Sequence, residues 1–369
     1  MQFDFSEDQK ALQAEVRRFF ERESPISGVR KLIDDPAASH DAALWARVGE
    51  AGYLAAAIPE AFGGAGAGYL ELCLVAQEAG RALAPLPAAS SIYQAAELLL
   101  MAGDEAQRKA WLPRLASGQA IATVALGETV GEATPDSIVA RVAGGRLSGV
   151  KLPVSDGMAA DLAIVAAQGD AGLGLYLVAL DGPGVARRPI KAVDPSRKQA
   201  EIRFDGASAE PLGAPGRGWA LLSAMRDRAA VLVAFEQIGG AQAALEMARD
   251  YALGRYAFGR PIGSFQAIKH MLADMYVALE LARSNAYYGA WALATDAPQL
   301  PLAAASARVA AIQAYKLCSS NNIQAHGGMG FTWEFDCHLH YRRARYLASV
   351  IGATPLWERR LVDAYRRAA

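Results

Sequence analysis

Two stretches of the chain concentrate side chains able to do chemistry. They are Tyr251 to Met275, reading YALGRYAFGRPIGSFQAIKHMLADM, and Gln324 to Phe331, reading QAHGGMGF. The first carries Arg255, Phe258, Gly259, Phe265, Gln266 and His270, and the second carries Gln324, Gly327, Gly328 and Gly330. A guanidinium fork suits phosphate oxygens, and glycines let a ligand approach the backbone. The plainer readings are a solvated charge at a helix end for Arg255 and a helix break for the glycines. Cys337-His338-Leu339-His340 has metal-ligand residue types. On a helix, however, its two histidines point about 200° apart, whereas helical ligand pairs sit at i, i+4. No second cluster supports a metal site. Arg342, Arg343 and Arg345 read as a solvated basic face, and His270 and His326 as packed residues. Cys73 and Cys318 read as inert thiols on apolar helix faces.

Helices must position the two stretches. Residues 219–255, 264–295, 301–326 and 334–367 are expected to form four long helices, a bundle. Residues 1–117 also read as helical. Ser6 precedes Glu7, Asp8 and Gln9 as an N-cap before acids, and Leu12, Val16, Phe19 and Phe20 follow at helical spacing. Residues 118–215 differ. Ile121 to Leu126, Arg146 to Leu152, Leu162 to Ala167, Leu173 to Leu180 and Ala200 to Phe204 are short apolar or alternating runs between Gly, Pro and Asp turns. They predict a small antiparallel barrel. Pro211 to Gly218 reads as a linker. The expected domains are therefore 1–117 (helical), 118–215 (β-barrel) and 216–369 (four-helix bundle).

Composition limits the partners. With 37 basic and 38 acidic side chains the chain is near neutral, so a nucleic-acid partner or charged membrane surface is not expected. Three cysteines make no disulfide framework, which fits a reducing, cytoplasmic compartment. The opening MQFDFSEDQK lacks the features of a signal or transit peptide. No apolar run reaches the roughly 18 residues of a membrane-spanning helix. Heavy use of Ala and Arg suggests a bacterial source.

The order and content of the two motifs resemble those of the acyl-CoA dehydrogenase family. Ile58-Pro59-Glu60 with Phe62-Gly63-Gly64 and Gly66 resembles the family's PE-(Y/F)-GG-G segment, so the resemblance spans essentially the whole chain. It implies a helical domain, a middle antiparallel β-barrel and a C-terminal four-helix bundle. It also implies FAD as cofactor, an acyl-CoA thioester as substrate, an electron-transfer flavoprotein as acceptor and a tetramer. By resemblance, Arg255, Phe258, Gln266, Gln324, Gly327 and Gly328 hold the flavin's diphosphate and adenosine. Ser155 and Thr354 match positions near the ring.

The chain departs from the family in places. Where the family reads TEP-x-x-GSD, Glu128 aligns, but Gly127 replaces the Thr and Ala133 the Ser. Downstream Lys151 and Ser155 fit, while Pro153 replaces the aromatic residue that covers the ring. The family's catalytic Glu occupies one of two positions, and these are Gly352 and Ala229 here. Glu236, about two turns beyond Ala229, is the remaining candidate base; its plainer reading is a polar bundle contact. Gly172 to Val185 and Arg188-Pro189 resemble the small subunits of pimeloyl-CoA and steroid side-chain dehydrogenases, which assemble as heterotetramers. Two expectations follow: a dehydrogenase subunit, or a non-catalytic subunit that completes a partner's cofactor site.

Overall fold

A computed structural model of the chain describes residues 5–368. The first four residues, part of the N-terminal reading, lie outside the described residues. In chain order the first helices are α1 (Glu7–Glu23), α2 (Ile26–Asp34), α3 (Ala42–Glu50), α4 (Tyr69–Arg81), α5 (Ala88–Ser90), a π-wound turn (Ser91–Ala96), α6 (Glu97–Ala102) and α7 (Glu105–Ala116). The strands follow: β1 (Ala122–Ala125), β2 (Arg141–Ala143), β3 (Arg146–Ser155), β4 (Leu162–Gly169), β5 (Gly172–Ala179), β6 (Val185–Ile190), β7 (Gln199–Ser208) and β8 (Glu210–Leu212). The chain then forms α8 (Gly218–Gly254), a hairpin of β9 (Tyr256–Ala257) and β10 (Arg260–Pro261), α9 (Gln266–Ala294), α10 (Leu300–His326), α11 (Cys337–Leu347) and α12 (Thr354–Ala368). This succession of helices, sheet and helices is the fold expected from the sequence. It falls into two compact units.

The helical unit contains the chain up to Val29, Cys73–Ala84, and everything from Ala230 on. Ser6 accepts the N–H of Gln9 at 3.2 Å while Gln9 Oε1 accepts that of Ser6 at 3.0 Å, the reciprocal cap that starts α1. Val231, Val233, Ala234, Phe235 and Ile238 are fully buried, so α8 has no solvent face over this stretch and shows little amphipathic pattern. It crosses α4 at backbone contact. A Cβ on Gly80 would fall 1.9 Å from the carbonyl oxygen of Glu236, and one on Gly239 1.8 Å from that of Gln77. The fourth expected helix is in fact two, α11 and α12. Gly352 takes φ +117 between them, which a helix cannot accommodate, and Thr354-Pro355 restarts the helix with proline near its start.

The second unit, Arg30–Leu72 and Pro85–Ala229, contains the sheet. Its hydrogen-bonded order is β6-β7-β3-β2-β4-β5-β8, with β1 also on β4. Most pairs are antiparallel, such as β4 on β5 from Leu162↔Ala179 to Gly169↔Gly172. β1 pairs with β4 in parallel, and β2 touches β4 in parallel at Arg141↔Gln168. β4 is the buried centre of the sheet. The β3–β7 register shifts between Lys151 and Val154, at Pro153, which has no N–H for the ladder. β6 is an additional edge strand: its sequence VARRPI is mostly exposed and has no alternation to announce it. The segment expected as a linker begins with β8, which pairs with β5.

Candidate functional site

In the helical unit α8 ends at Gly254 and the chain enters the β9–β10 hairpin carrying Arg255 and Phe258. Phe258 adopts φ +53 and is 95% exposed, meeting the Phe265 ring edge-on at 6.2 Å. Arg255 is exposed. Gln266, also exposed, opens α9, whose N-cap makes no side-chain hydrogen bond. Its first N–H groups and the positive end of its dipole are therefore available to an acceptor. One turn before Arg255, Tyr251 stacks on His326 with ring centroids 4.0 Å apart, and Phe335 packs edge-on against both. His326 ends α10 and directly precedes Gly327. Its Nδ1 lies 2.8 Å from the carbonyl of Asn322, and burial lowers its pKa. This stack joins the turn of Arg255 to the turn of Gly327 and Gly328. Gln324 and both glycines are exposed, and a Cβ on either glycine would meet nothing within 4 Å. The stack thus links the turn of an exposed arginine to a turn of exposed glycine backbone. Thr354 opens α12, half-buried.

No side chain able to take a proton stands at either expected base position: Ala229 is fully buried in α8, and Gly352 lies in the break before α12. Glu236 is 3% exposed, 3.7 Å from Arg343 Nη1. Arg343 in turn donates to the carbonyls of Ala84 at 3.3 Å and Leu83 at 3.1 Å. Fully buried Arg308 donates to Gln237 Oε1 and to the carbonyl of Leu347. Burial brings its pKa down to about 9, against the opposing pull of Glu236. Glu236 is therefore the counter-charge of two buried arginines, which fits its plainer reading. Arg343 departs from the expected solvated face: at 1% exposed it ties α11 to the end of α4. His270, expected to be packed, is exposed at the start of α9.

In the sheet unit Lys151 is fully buried and donates to Glu128 Oε1 at 2.7 Å and to the carbonyl of Leu126 at 3.1 Å. Glu128 also accepts the N–H groups of Val139 and Ala140, each at 3.0 Å. Burial pushes the Lys151 pKa down, and Glu128 restores only part of it. Burial pushes the Glu128 carboxyl up, but its hydrogen bonds from Lys151, Ala140 and Val139 outweigh this and hold it low. The pair thus pins the loop after β1 to β3. Ser155 ends β3 half-buried, its carbonyl accepting Thr123 Oγ1 at 2.7 Å. The next residue, Asp156, takes φ +55 and accepts Ser90 Oγ at 2.7 Å.

A second buried cluster had no sequence signal. Glu97 accepts Tyr69 OH at 2.8 and 3.0 Å and Arg228 Nε at 2.6 Å. Arg228 immediately precedes Ala229. Glu97 stands before Leu98-Leu99-Leu100, where an isolated acid gives no hint of partners distant in sequence. The preceding π-wound turn, a feature common at functional sites, has no signature either.

Sequence models described as "Acyl-CoA dehydrogenase, N-terminal domain" and "Acyl-CoA dehydrogenase, C-terminal domain" match residues 6–119 and 216–362. The chain is 36% identical over 313 residues to acyl-CoA dehydrogenase IpdE2 of Mycobacterium tuberculosis, covering 85% of this chain and 83% of that protein. It is 32% identical over 315 residues to the human mitochondrial short-chain specific acyl-CoA dehydrogenase, covering 81% of this chain and 76% of that one. Among solved structures, the ChsE4-ChsE5 complex from Mycobacterium tuberculosis superposes with a TM-score of 0.90 at 28% identity, over 99% of both chains.

Proposed function

The chain belongs to the acyl-CoA dehydrogenase family, and we propose that it works in FAD-dependent α,β-dehydrogenation of an acyl-CoA thioester as one subunit of a tetramer. The observation that carries this reading is the Tyr251–His326 stack, which joins the Arg255 turn to the bare backbone of Gly327 and Gly328. The residues fit FAD. Arg255 offers a fork for a diphosphate, the uncapped first turn of α9 beside Gln266 favours an anion, and the side-chain-free glycines with Gln324 suit an adenosine. Phe258 supplies an exposed ring for the same group. Bound FAD supplies a hydride acceptor for the substrate's Cβ. Ser155 and Thr354 are assigned to the flavin by their match to the family's positions alone, each with a hydroxyl able to donate a hydrogen bond.

The proton from the substrate's Cα needs a carboxylate, and neither Ala229 nor Gly352 can take it. Glu236 is committed to Arg343 and Arg308. We therefore assign the base to a homologous partner subunit, an arrangement supported by the resemblance to the two-component ChsE4-ChsE5 complex. The alternative of a subunit with no chemistry of its own is not favoured, because the relatives are named acyl-CoA dehydrogenases. An electron-transfer flavoprotein is the acceptor we assign. Among the described residues no helix is long and apolar enough to cross a membrane; the setting we assign is cytoplasmic.

The test is Arg255→Ala. It should lower flavin retained per assembled complex while circular dichroism stays unchanged. Unchanged flavin content would remove Arg255 from the cofactor site.

A further inference from the structure

His326 stands between the turn of Arg255 and the turn of Gly327 and Gly328, and it is only 6% exposed. At that burial its influence on a bound cofactor runs through its neighbours. Three contacts fix its ring. Nδ1 lies 2.8 Å from the Asn322 carbonyl, which can only accept, so Nδ1 carries the hydrogen. Asn322 is itself fully buried, with Nδ2 3.2 Å from Met247 Sδ on α8. The imidazole covers the Tyr251 ring at 4.0 Å with 27° between the planes. Phe335 closes the pair edge-on, 5.7 Å from His326 and 6.3 Å from Tyr251. Burial lowers the His326 pKa, so the ring carries no charge near neutral pH.

Backbone bonds carry this order into both turns. The Tyr251 carbonyl accepts the N–H of Arg255 at 2.8 Å, the bond that ends α8. The Arg255 carbonyl accepts the N–H of Ile262, also at 2.8 Å, which closes the hairpin behind it. The last turn of α8 contains Gly254, a poor helix former, and helix ends fray. Packing of the Tyr251 ring is what holds this turn. On the other side His326 is the final residue of α10, and the Gly327 N–H bonds to the Gln324 carbonyl. A Cβ on Gly330 would fall 3.1 Å from His326 Cβ, so the glycine turn folds back against the histidine.

We propose that His326 is a positioning residue for the cofactor: its ring, stacked on Tyr251, fixes the spacing between Arg255 and the backbone of Gly327 and Gly328. The inference rests on the assignment of those two turns to FAD. Removing the ring frees the end of α8. Arg255 must then be ordered at the moment of binding, so affinity falls although no contact to FAD is deleted. The lost ring pair and the ordering of one long side chain together amount to about tenfold.

Titration of FAD into the deflavinated assembled complex, followed by flavin fluorescence, tests this. His326→Leu fills similar space with no flat face, and Tyr251→Leu removes the ring from the other side. Each should raise the FAD Kd about tenfold, while His326→Phe, which keeps a ring, should stay within about threefold of the parent. His326 acts through Arg255, so in an Arg255→Ala background His326→Leu should cost only about twofold or less. A general weakening of the fold would add its full factor there. Circular dichroism and native mass verify folding and assembly, and if one ring-removing variant misfolds the other decides. The proposal is overturned if Arg255→Ala weakens FAD but the folded ring-removing variants bind as the parent does. It is equally overturned if His326→Phe is as weak as His326→Leu, or if the tenfold loss persists in the Arg255→Ala background. An unchanged Kd in Arg255→Ala itself would overturn the cofactor assignment and this proposal with it.

Discussion

His340 makes a quantitative forecast about acid stability. It lies 3% exposed on α11, its Nδ1 3.2 Å from Tyr315 OH. Burial, then the positive charges of Arg343 and Arg81, push its pKa down to about 3. In the unfolded chain a histidine titrates near about 6.5. The folded pKa is the depressed one, so the unfolded state takes up a proton first as pH falls. The stability His340 confers is complete above about pH 6.5 and drains away towards pH 3, at about 1.4 kcal/mol per pH unit. Between about pH 8 and pH 5 the loss from this residue is therefore about 2 kcal/mol. Urea unfolding of the parent and of His340→Gln at those two pH values isolates it. Glutamine can still bond Tyr315 but does not titrate, and other groups cancel in the difference. The parent should lose about 2 kcal/mol more than the variant. Equal losses would refute the claim that His340 is held neutral by burial between two arginines.

Other outcomes follow from the packing and the ion pairs. Gly80→Ala places a methyl 1.9 Å from the Glu236 carbonyl oxygen, and should cost about 3 kcal/mol or more in thermal unfolding. Gly254→Ala, with nothing within 4 Å, should stay within about 1 kcal/mol of the parent. Lys151→Met strands Glu128 with two backbone donors and no counter-charge, and should destabilise by about 3 kcal/mol in urea. Adding Glu128→Gln should recover part of that loss. Glu236→Gln should leave turnover of the assembled complex intact; a loss of about 100-fold or more without a change in fold would make Glu236 the base.

The helices and most strands were legible because their apolar residues recur at the right period, as in Val16 and Phe20 of α1 or the apolar run of β4. The candidate site was legible as residue types at Arg255, Gln324, Gly327 and Gly328. What joins them, the stacking of Tyr251 on His326, is a tertiary contact that no local pattern announces. The same limit hid the Glu97 cluster and the burial of Arg343, since an acid among leucines or an arginine in a basic run looks the same whether paired in a core or wet. The break of the last long helix was readable only in part: Gly352 was visible, but its left-handed backbone depends on the turn around it. β6 escaped because an exposed edge strand need not alternate.

The most direct test of the account is the absorbance spectrum of the purified protein together with its native mass. A flavin spectrum on an oligomer of tetrameric mass is expected when the chain is purified with its homologous partner subunit. A colourless complex would contradict this reading.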